Sequence, residues 1–135
     1  MDFDFKPYFE KYEKLVAASE AAFERVRDVH RDCVKCAKGC ADCCHAVFDL
    51  TFIEALYLNH RFKEKIEKEK KSSIEESANS ADRQLNKLKR RAHQEFQAGR
   101  SEAEILSDLA KERVRCPLLN TQDLCELYAY RPLTC

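Results

Sequence analysis

The sequence contains few of the residues that interrupt helices. Its 135 residues include two glycines, three prolines and no tryptophan. Glycine and proline mark most turns, so a sheet with many short connections would need more of them. Alanine, glutamate, lysine, leucine and arginine are abundant instead, and these residues favour helices. The composition therefore predicts an all-α fold in a single domain, 1–135.

The chain also lacks net charge and long apolar runs. Its 24 basic and 24 acidic side chains cancel, which leaves no overall attraction to nucleic acid or to an anionic membrane. No apolar stretch approaches the ~18 residues of a membrane span, and the N-terminus does not resemble a signal peptide. We therefore expect a cytoplasmic protein. The basic stretch 83–91 is interpreted as a solvated helix face, because no aromatic residues are interleaved with it for base stacking.

Two amphipathic helices are predicted in the first half of the chain. In the first segment, apolar residues recur three and four positions apart and should face the core: Phe5, Tyr8, Phe9, Tyr12, Leu15, Val16, Ala22, Phe23, Val26 and Val29. This helix is expected to end near Cys33. A second helix should begin after Thr51, which forms a capping-box pattern with Glu54. The charged sequence that follows predicts either a solvated extension of that helix or fraying.

Two further helices are predicted in the second half. The third should run from about residue 73 to residue 98, with Gly99 ending it. The fourth should begin at Ser101, which forms a second capping box with Glu104. Its inward-facing residues are predicted to be Ile105, Leu106, Leu109 and Val114. After these, the sequence is typical of a loop, with one helical turn at 124–129.

Eight cysteines stand out against this helical background. They are Cys33, Cys36, Cys40, Cys43, Cys44, Cys116, Cys125 and Cys135. The first five lie within twelve positions between the first two helices, and the last three follow the final helix. Buried structural cysteines would be scattered, and a reducing compartment disfavours disulfides. We predict that the chain folds back to join both groups in one composite site.

Thiolates are soft anionic ligands that suit iron, iron–sulfur clusters and zinc, so all eight cysteines are predicted metal ligands. Gly39 would let the backbone pass close to the metal. Lys35 and Lys38 are predicted to lower thiol pKa values. The adjacent Cys43 and Cys44 should point in different directions, which favours two ions, or a cluster and a second ion. Which cysteines share a metal stays open.

Other polar residues near the cysteines are interpreted more simply. His45 is expected to be a hydrogen-bonded neighbour of the site rather than a ligand. The remaining histidines are predicted at the surface: His30, His60 and His93. Tyr128 is expected to pack in the core, while Arg131 binds carbonyl groups or a carboxylate. A nucleophilic pair of Cys44 and His45 is the weaker hypothesis, because neighbours in sequence seldom have the required geometry.

Two blocks of this sequence, "GCADCCHAVFDLTFIEA" and "CPLLNTQDLCELYAYRPLTC", resemble the CxxCxxCC cysteine-cluster family, or YkgJ-like zinc- or iron-chelating domain. The matching residues are Cys36, Cys40, Cys43, Cys44, Leu50, Thr51, Glu54, Cys116, Pro117, Leu119, Cys125, Leu127, Tyr128, Arg131, Pro132 and Cys135. The chain departs from the family pattern in having three residues, not two, between Cys36 and Cys40. The region 61–111 has no counterpart in the motif and resembles a variable charged insertion.

The resemblance implies a domain that binds iron, often as an iron–sulfur cluster, or zinc. Some family members are linked to N-methylation of lysines in flagellin. The leading hypothesis is therefore a metal-binding protein for electron transfer, metal handling or sensing. The alternatives are an enzyme that uses the metal site, for instance to modify protein lysines, and a structural zinc module that presents a helical surface to a protein partner.

Overall fold

A computed structural model describes residues 3–135, so Met1 and Asp2 of the predicted domain lie outside the described residues. The helices are α1, Lys6–Val29; α2, Phe52–Lys65; α3, Lys68–Gln97; and α4, Glu102–Leu109. Two 3₁₀ turns span Cys43–His45 and Tyr128–Tyr130. In this range there is no β-strand, only two isolated bridges. The all-α prediction is confirmed.

None of the helices within residues 3–135 combines the length and the apolar composition that crossing a bilayer requires.

Both predicted capping boxes are present. The Thr51 hydroxyl accepts a hydrogen bond from the Glu54 backbone N–H, and a Glu54 carboxylate oxygen accepts one from the Thr51 N–H at 2.9 Å. Ser101 and Glu104 make the same reciprocal pair at the start of α4. Each box satisfies backbone donors that the first turn of a helix leaves unpaired. The sequence therefore located both helix starts correctly.

The predicted end of the first helix and the predicted start of the third helix need correction. α1 ends at Val29 rather than near Cys33, because His30 leaves the helical conformation with φ −121° and ψ 48°. The charged segment that follows the first turns of α2 is helical on both sides of Ile66. The backbone of Ile66 is extended and its side chain is buried. α3 therefore begins at Lys68, before the predicted residue 73.

Gly99 ends α3 as predicted. Its φ of 88° is a left-handed conformation that glycine adopts without steric cost. The Gly99 N–H bonds to the Phe96 carbonyl, and the Arg100 N–H bonds to the Glu95 carbonyl. These two bonds form the Schellman motif that commonly closes helices at glycine.

The helices pack as two pairs, α1 against α2 and α3 against α4. The main buried cluster lies between the α2–α3 junction and the C-terminal segment, and it is formed by Ile66, Leu118 and Leu127. Leu127 is 2% exposed. Partly buried residues pack around this cluster: Leu58, Phe62, Ile74, Cys116, Cys125 and Tyr130. Two of the predicted ligands thus adjoin the hydrophobic core.

Arg61 joins three parts of the molecule. It donates hydrogen bonds at 2.6 Å to Glu13 of α1 and to Glu64 of α2. Its guanidinium also lies over the rings of Tyr57, at 5.1 Å, and of Tyr130, at 4.9 Å. Arg61 and Ile66 both belong to region 61–111, which was interpreted above as an insertion. This region therefore supplies residues to the central packing.

The prediction that the apolar face of α1 is buried is wrong for most of its length. Tyr12 is buried against Tyr57, but Leu15, Phe23 and Val26 are 57%, 42% and 52% exposed. The reason is that α2 contacts the first half of α1, whereas the second half borders an open cavity. Leu106 of α4, predicted to face inward, is likewise 56% exposed.

Candidate metal centre

A cavity of about 770 Å³ lies between the second half of α1, the cysteine loop and the C-terminal segment. We call it the cysteine cavity. The cysteines that line it are Cys36, Cys40, Cys43, Cys44, Cys116, Cys125 and Cys135. Both sequence groups therefore contribute to the lining of one cavity. In the described part of the chain, Cys33 is exposed and does not belong to this lining, and no cysteine forms a disulfide.

The loop from Cys116 to Cys125 is a compact reverse turn. The side-chain oxygen of Asn120 accepts hydrogen bonds from the backbone N–H groups of Gln122, at 2.9 Å, and Leu124, at 3.0 Å. An isolated antiparallel bridge then pairs Leu119 with Cys125. Asn120 thus stabilises the turn between Cys116 and Cys125, which both pack against the same buried cluster. The sequence signal for this role is the turn-forming composition of "NTQD".

The cysteine loop is attached to this C-terminal segment through the backbone. The Cys116 N–H donates to the Cys44 carbonyl at 2.6 Å, and the Val114 N–H donates to the His45 carbonyl at 3.0 Å. Nδ1 of His45 lies 3.0 Å from the Ala41 carbonyl, to which it can only donate. His45 therefore supports the loop as a hydrogen-bonded neighbour, as predicted. The other three histidines are exposed, also as predicted.

Five of the seven thiols form an inner group: Cys43, Cys44, Cys116, Cys125 and Cys135. Burial, followed by the charges of Cys43 and Cys116, raises the pKa of Cys44 to about 12. Burial and the same two neighbours raise the pKa of Cys135 to about 12. Burial is also the main reason why the pKa values of Cys116 and Cys125 are raised. Burial is therefore the main cause at all four of these cysteines, and neighbouring thiols add to it.

The predicted lowering of thiol pKa values by lysines is wrong for these four cysteines. Lys35 and Lys38 lie on the exposed part of the loop, whereas these four thiols are desolvated by burial. Desolvation disfavours the thiolate, so their pKa values rise. Binding a divalent ion reverses this balance, because the positive ion stabilises the thiolates that coordinate it.

Cys36 and Cys40 form an outer pair on the solvent side. Both are exposed, as is Cys135 of the inner group, whereas Cys43, Cys44, Cys116 and Cys125 are partly buried. A turn separates the two outer cysteines, closed by a hydrogen bond of 2.9 Å from the Cys40 N–H to the Ala37 carbonyl. Gly39, with φ 96°, occupies the third position of this turn, where a type II turn needs a positive φ.

Glu54 ties α2 to the chain segment that carries Cys135. This carboxylate is 4% exposed. One of its oxygens accepts from the Thr51 N–H and hydroxyl, and the other accepts from the Thr134 N–H and hydroxyl, both at 3.3 Å. The capping box predicted only the contact with Thr51. The contact with Thr134, eighty positions away, gives Glu54 a second role beside the inner cysteines.

Arg131 holds the final segment against α1. It donates to the Tyr128 carbonyl at 3.0 Å and forms an ion pair with Glu20 at 3.2 Å. Both contacts agree with the predicted structural role. The prediction that Tyr128 packs in the core is wrong, because Tyr128 is only partly buried and lines the cavity. The guanidinium of Arg131 lies over its ring, and the neighbouring Leu127 occupies the core instead.

The donor set of the cavity fits a soft metal ion or an iron–sulfur cluster. Four thiolates complete a tetrahedral zinc site or hold a cluster, and the inner group offers five. Cys43 and Cys44 both line the same cavity, although neighbouring side chains were expected to diverge. No three candidate ligands among residues 3–135 already surround a common point, so side chains would have to turn to bind an ion.

Comparison with protein-family models, with curated proteins and with solved structures found no match for this chain.

Proposed function

We propose that this protein binds iron, as an iron–sulfur cluster or as iron ions, or else zinc, through the cysteines of the inner group. The observation that supports the proposal is that cysteines from both ends of the chain line one cavity. Seven cysteines line the cavity, against three carboxylates, Glu20, Glu24 and Asp123, which favours a sulfur-rich site over a mixed one. The resemblance to the cysteine-cluster family points to the same chemistry.

The electrostatics of the cavity suit this proposal. Four thiolates around a divalent ion carry a net charge of about −2, because each thiolate contributes one negative charge. Basic side chains border the cavity, including Lys38, Arg27 and Arg131. Such cations offset the negative charge of a thiolate site and stabilise its bound form. In the metal-free state, the raised pKa values of Cys44, Cys116, Cys125 and Cys135 favour the protonated thiols.

The test is anaerobic purification followed by measurement of iron, zinc and acid-labile sulfide per chain. Iron with sulfide would identify a cluster, zinc alone would identify a zinc site, and iron without sulfide would identify an iron centre. Each result supports the proposal in one of its forms. A fully folded protein that binds none of these ions under reducing conditions would refute it.

Substitution of inner cysteines should lower both metal content and thermal stability, because ligand binding to the folded state adds to its stability. We expect this for Cys43→Ser and for Cys125→Ser. Cys33→Ser is the matched control, because Cys33 belongs to the same sequence group but lies outside the cavity. Unchanged metal stoichiometry in both inner variants would argue against their role as ligands.

A second candidate function is an enzyme that acts on an organic group beside the metal. The observation in its favour is the cavity volume of about 770 Å³, because a single ion and its thiolates need far less space. The cavity also has apolar walls, which include Phe23 and Leu85. The resemblance suggests a lysine side chain as the substrate. Calorimetric titration of the metal-loaded protein with lysine-bearing peptides would detect such binding.

A further inference from the structure

The two classes of cavity thiol differ in number and attachment, and four of the inner five also differ from the outer pair in exposure. Cys116 and Cys125 pack against the core, and only Cys135 of the inner five is exposed. The inner five exceed the four sulfur ligands that one ion or cluster takes. The outer pair, Cys36 and Cys40, is exposed and lines the same cavity from the solvent side. The inner site therefore does not need the outer pair to complete its coordination.

The geometry of the outer pair suits brief, two-point capture of an ion. The turn closed between Ala37 and Cys40 reverses the chain directly after Cys36, so both cysteines flank one tight bend. Gly39 makes this bend with φ 96°, and no atom lies within 4 Å of the position that a β-carbon would take there. Two ligands bind an ion more weakly than four, which allows release as well as uptake.

From these observations we propose that Cys36 and Cys40 form an entry relay, which takes up a divalent ion from solution and passes it to the inner cysteines. This inference rests on the proposed metal-binding function. At capture, each outer thiol gives up its proton and displaces one water molecule from the ion. In the transfer, each inner thiol that binds gives up its proton. Two of them displace the outer thiolates, which are protonated again, and the others displace remaining water molecules, while the oxidation state of the metal does not change.

The relay makes a kinetic prediction that differs from that of a resident ligand. An ion held by the outer pair is at a high effective concentration relative to the inner thiols, so we expect removal of the pair to slow uptake at least about tenfold. Because the pair is absent from the final site, release should slow by the same factor. The stoichiometry and the equilibrium affinity should stay unchanged.

The experiment uses Zn²⁺ and a coloured zinc chelator with the full-length protein under reducing conditions. Rates of zinc transfer from chelator to protein, and back to excess chelator, would be compared for the native chain, the Cys36→Ser/Cys40→Ser variant and the Cys33→Ser control. We expect both rates to fall in the double variant and to be unchanged in the control. Circular dichroism of each metal-free protein would verify that the fold is retained.

A second variant keeps both thiols and changes only the turn. Gly39→Ala places a β-carbon at a positive φ, which disfavours the bend although the space is open. We expect unchanged zinc stoichiometry with a smaller loss of rate than in the double variant. This result would show that the arrangement of the pair matters, and not merely the number of thiols.

Three outcomes would overturn the relay. Loss of zinc stoichiometry or affinity in the double variant would make Cys36 and Cys40 resident ligands. Unchanged transfer rates in that variant would show that ions reach the inner site without them. A native protein that takes up no zinc, iron or cluster would refute the proposed metal-binding function itself, and the relay with it.

Discussion

The two sides of the cysteine cavity differ in how the protein holds them. On the C-terminal side, Cys116 and Cys125 adjoin the cluster of Ile66, Leu118 and Leu127, and Glu54 clamps the final segment. On the opposite side, the second half of α1 exposes Phe23 and Val26, and the loop that carries the outer pair is open to solvent. One side is supported by packing, and the other is not.

This difference indicates how metal binding and folding are coupled. Ligands on the packed side can keep their positions in the metal-free protein, because side chains around them hold the backbone. Ligands on the open side depend on the turn at Gly39 and on the metal itself. We expect metal binding to stabilise the cysteine loop and the second half of α1 more than the packed side. The reason is that the packed side is already ordered without metal, whereas the open side gains order on binding.

The largest expected effect tests whether the packed side carries the stability of the metal-free fold. Leu127→Ala removes the most buried side chain of the cluster, and we expect a loss of about 2–5 kcal/mol in the free energy of unfolding. The matched change on the open side is Phe23→Ala, which should cost less than about 1 kcal/mol because the ring is already 42% exposed. Urea unfolding of the metal-free proteins measures both values. Equal losses would contradict the comparison.

The next prediction compares two capping boxes of the same geometry in different environments. Glu54→Gln should cost about 1–3 kcal/mol in the free energy of unfolding. The reason is that the N–H and hydroxyl groups of Thr51 and Thr134, which donate to Glu54, would lose a charged acceptor. It should also lower metal content, since Thr134 precedes Cys135. Glu104→Gln changes an exposed box that lacks a distant partner and should have a clearly smaller effect.

Thermal unfolding and metal analysis of both glutamine variants measure these effects. If Glu104→Gln destabilised the protein as much as Glu54→Gln, the contribution of Glu54 would come from helix capping alone. The contact with the C-terminal segment would then add nothing to stability.

The sequence predicted those features that depend on residues near one another. Both capping boxes, the end of α3 at Gly99 and the bonding of Arg131 follow from local patterns. Helical periodicity also gave the class of fold. Each of these features is fixed by backbone groups or side chains within a few positions, so no knowledge of distant packing is needed.

The features that the sequence missed depend on contacts between distant segments. Periodicity predicted that Phe23 faces the core, but periodicity does not reveal whether another helix covers that face. The bond from Thr134 to Glu54 links positions eighty residues apart, and the raised pKa of Cys44 results from burial that only the folded chain creates. The division of the cavity cysteines into an inner group and an outer pair also depends on contacts between distant segments.

The smallest expected effect is a dependence of stability on pH that Glu54 contributes. Burial alone would raise the pKa of Glu54, but hydrogen bonds from Thr51 and Thr134 bring it below the ordinary value of 4.5. A carboxyl group whose pKa is lower in the folded state adds stability above its unfolded pKa, and this stability is lost as pH falls through the folded pKa. The unfolding free energy of the metal-free protein should therefore decrease as pH falls below about 4.5, and less steeply in Glu54→Gln.

Glu13 provides the internal reference for that measurement. Hydrogen bonds from Tyr57 and Arg61 lower its pKa, so it contributes acid sensitivity of the same sign in the native chain and in the Glu54→Gln variant. The difference between the two pH profiles thus isolates Glu54. Parallel profiles would mean that the carboxylate is not held in its charged form by Thr51 and Thr134, and that the C-terminal segment is attached to α2 by packing alone.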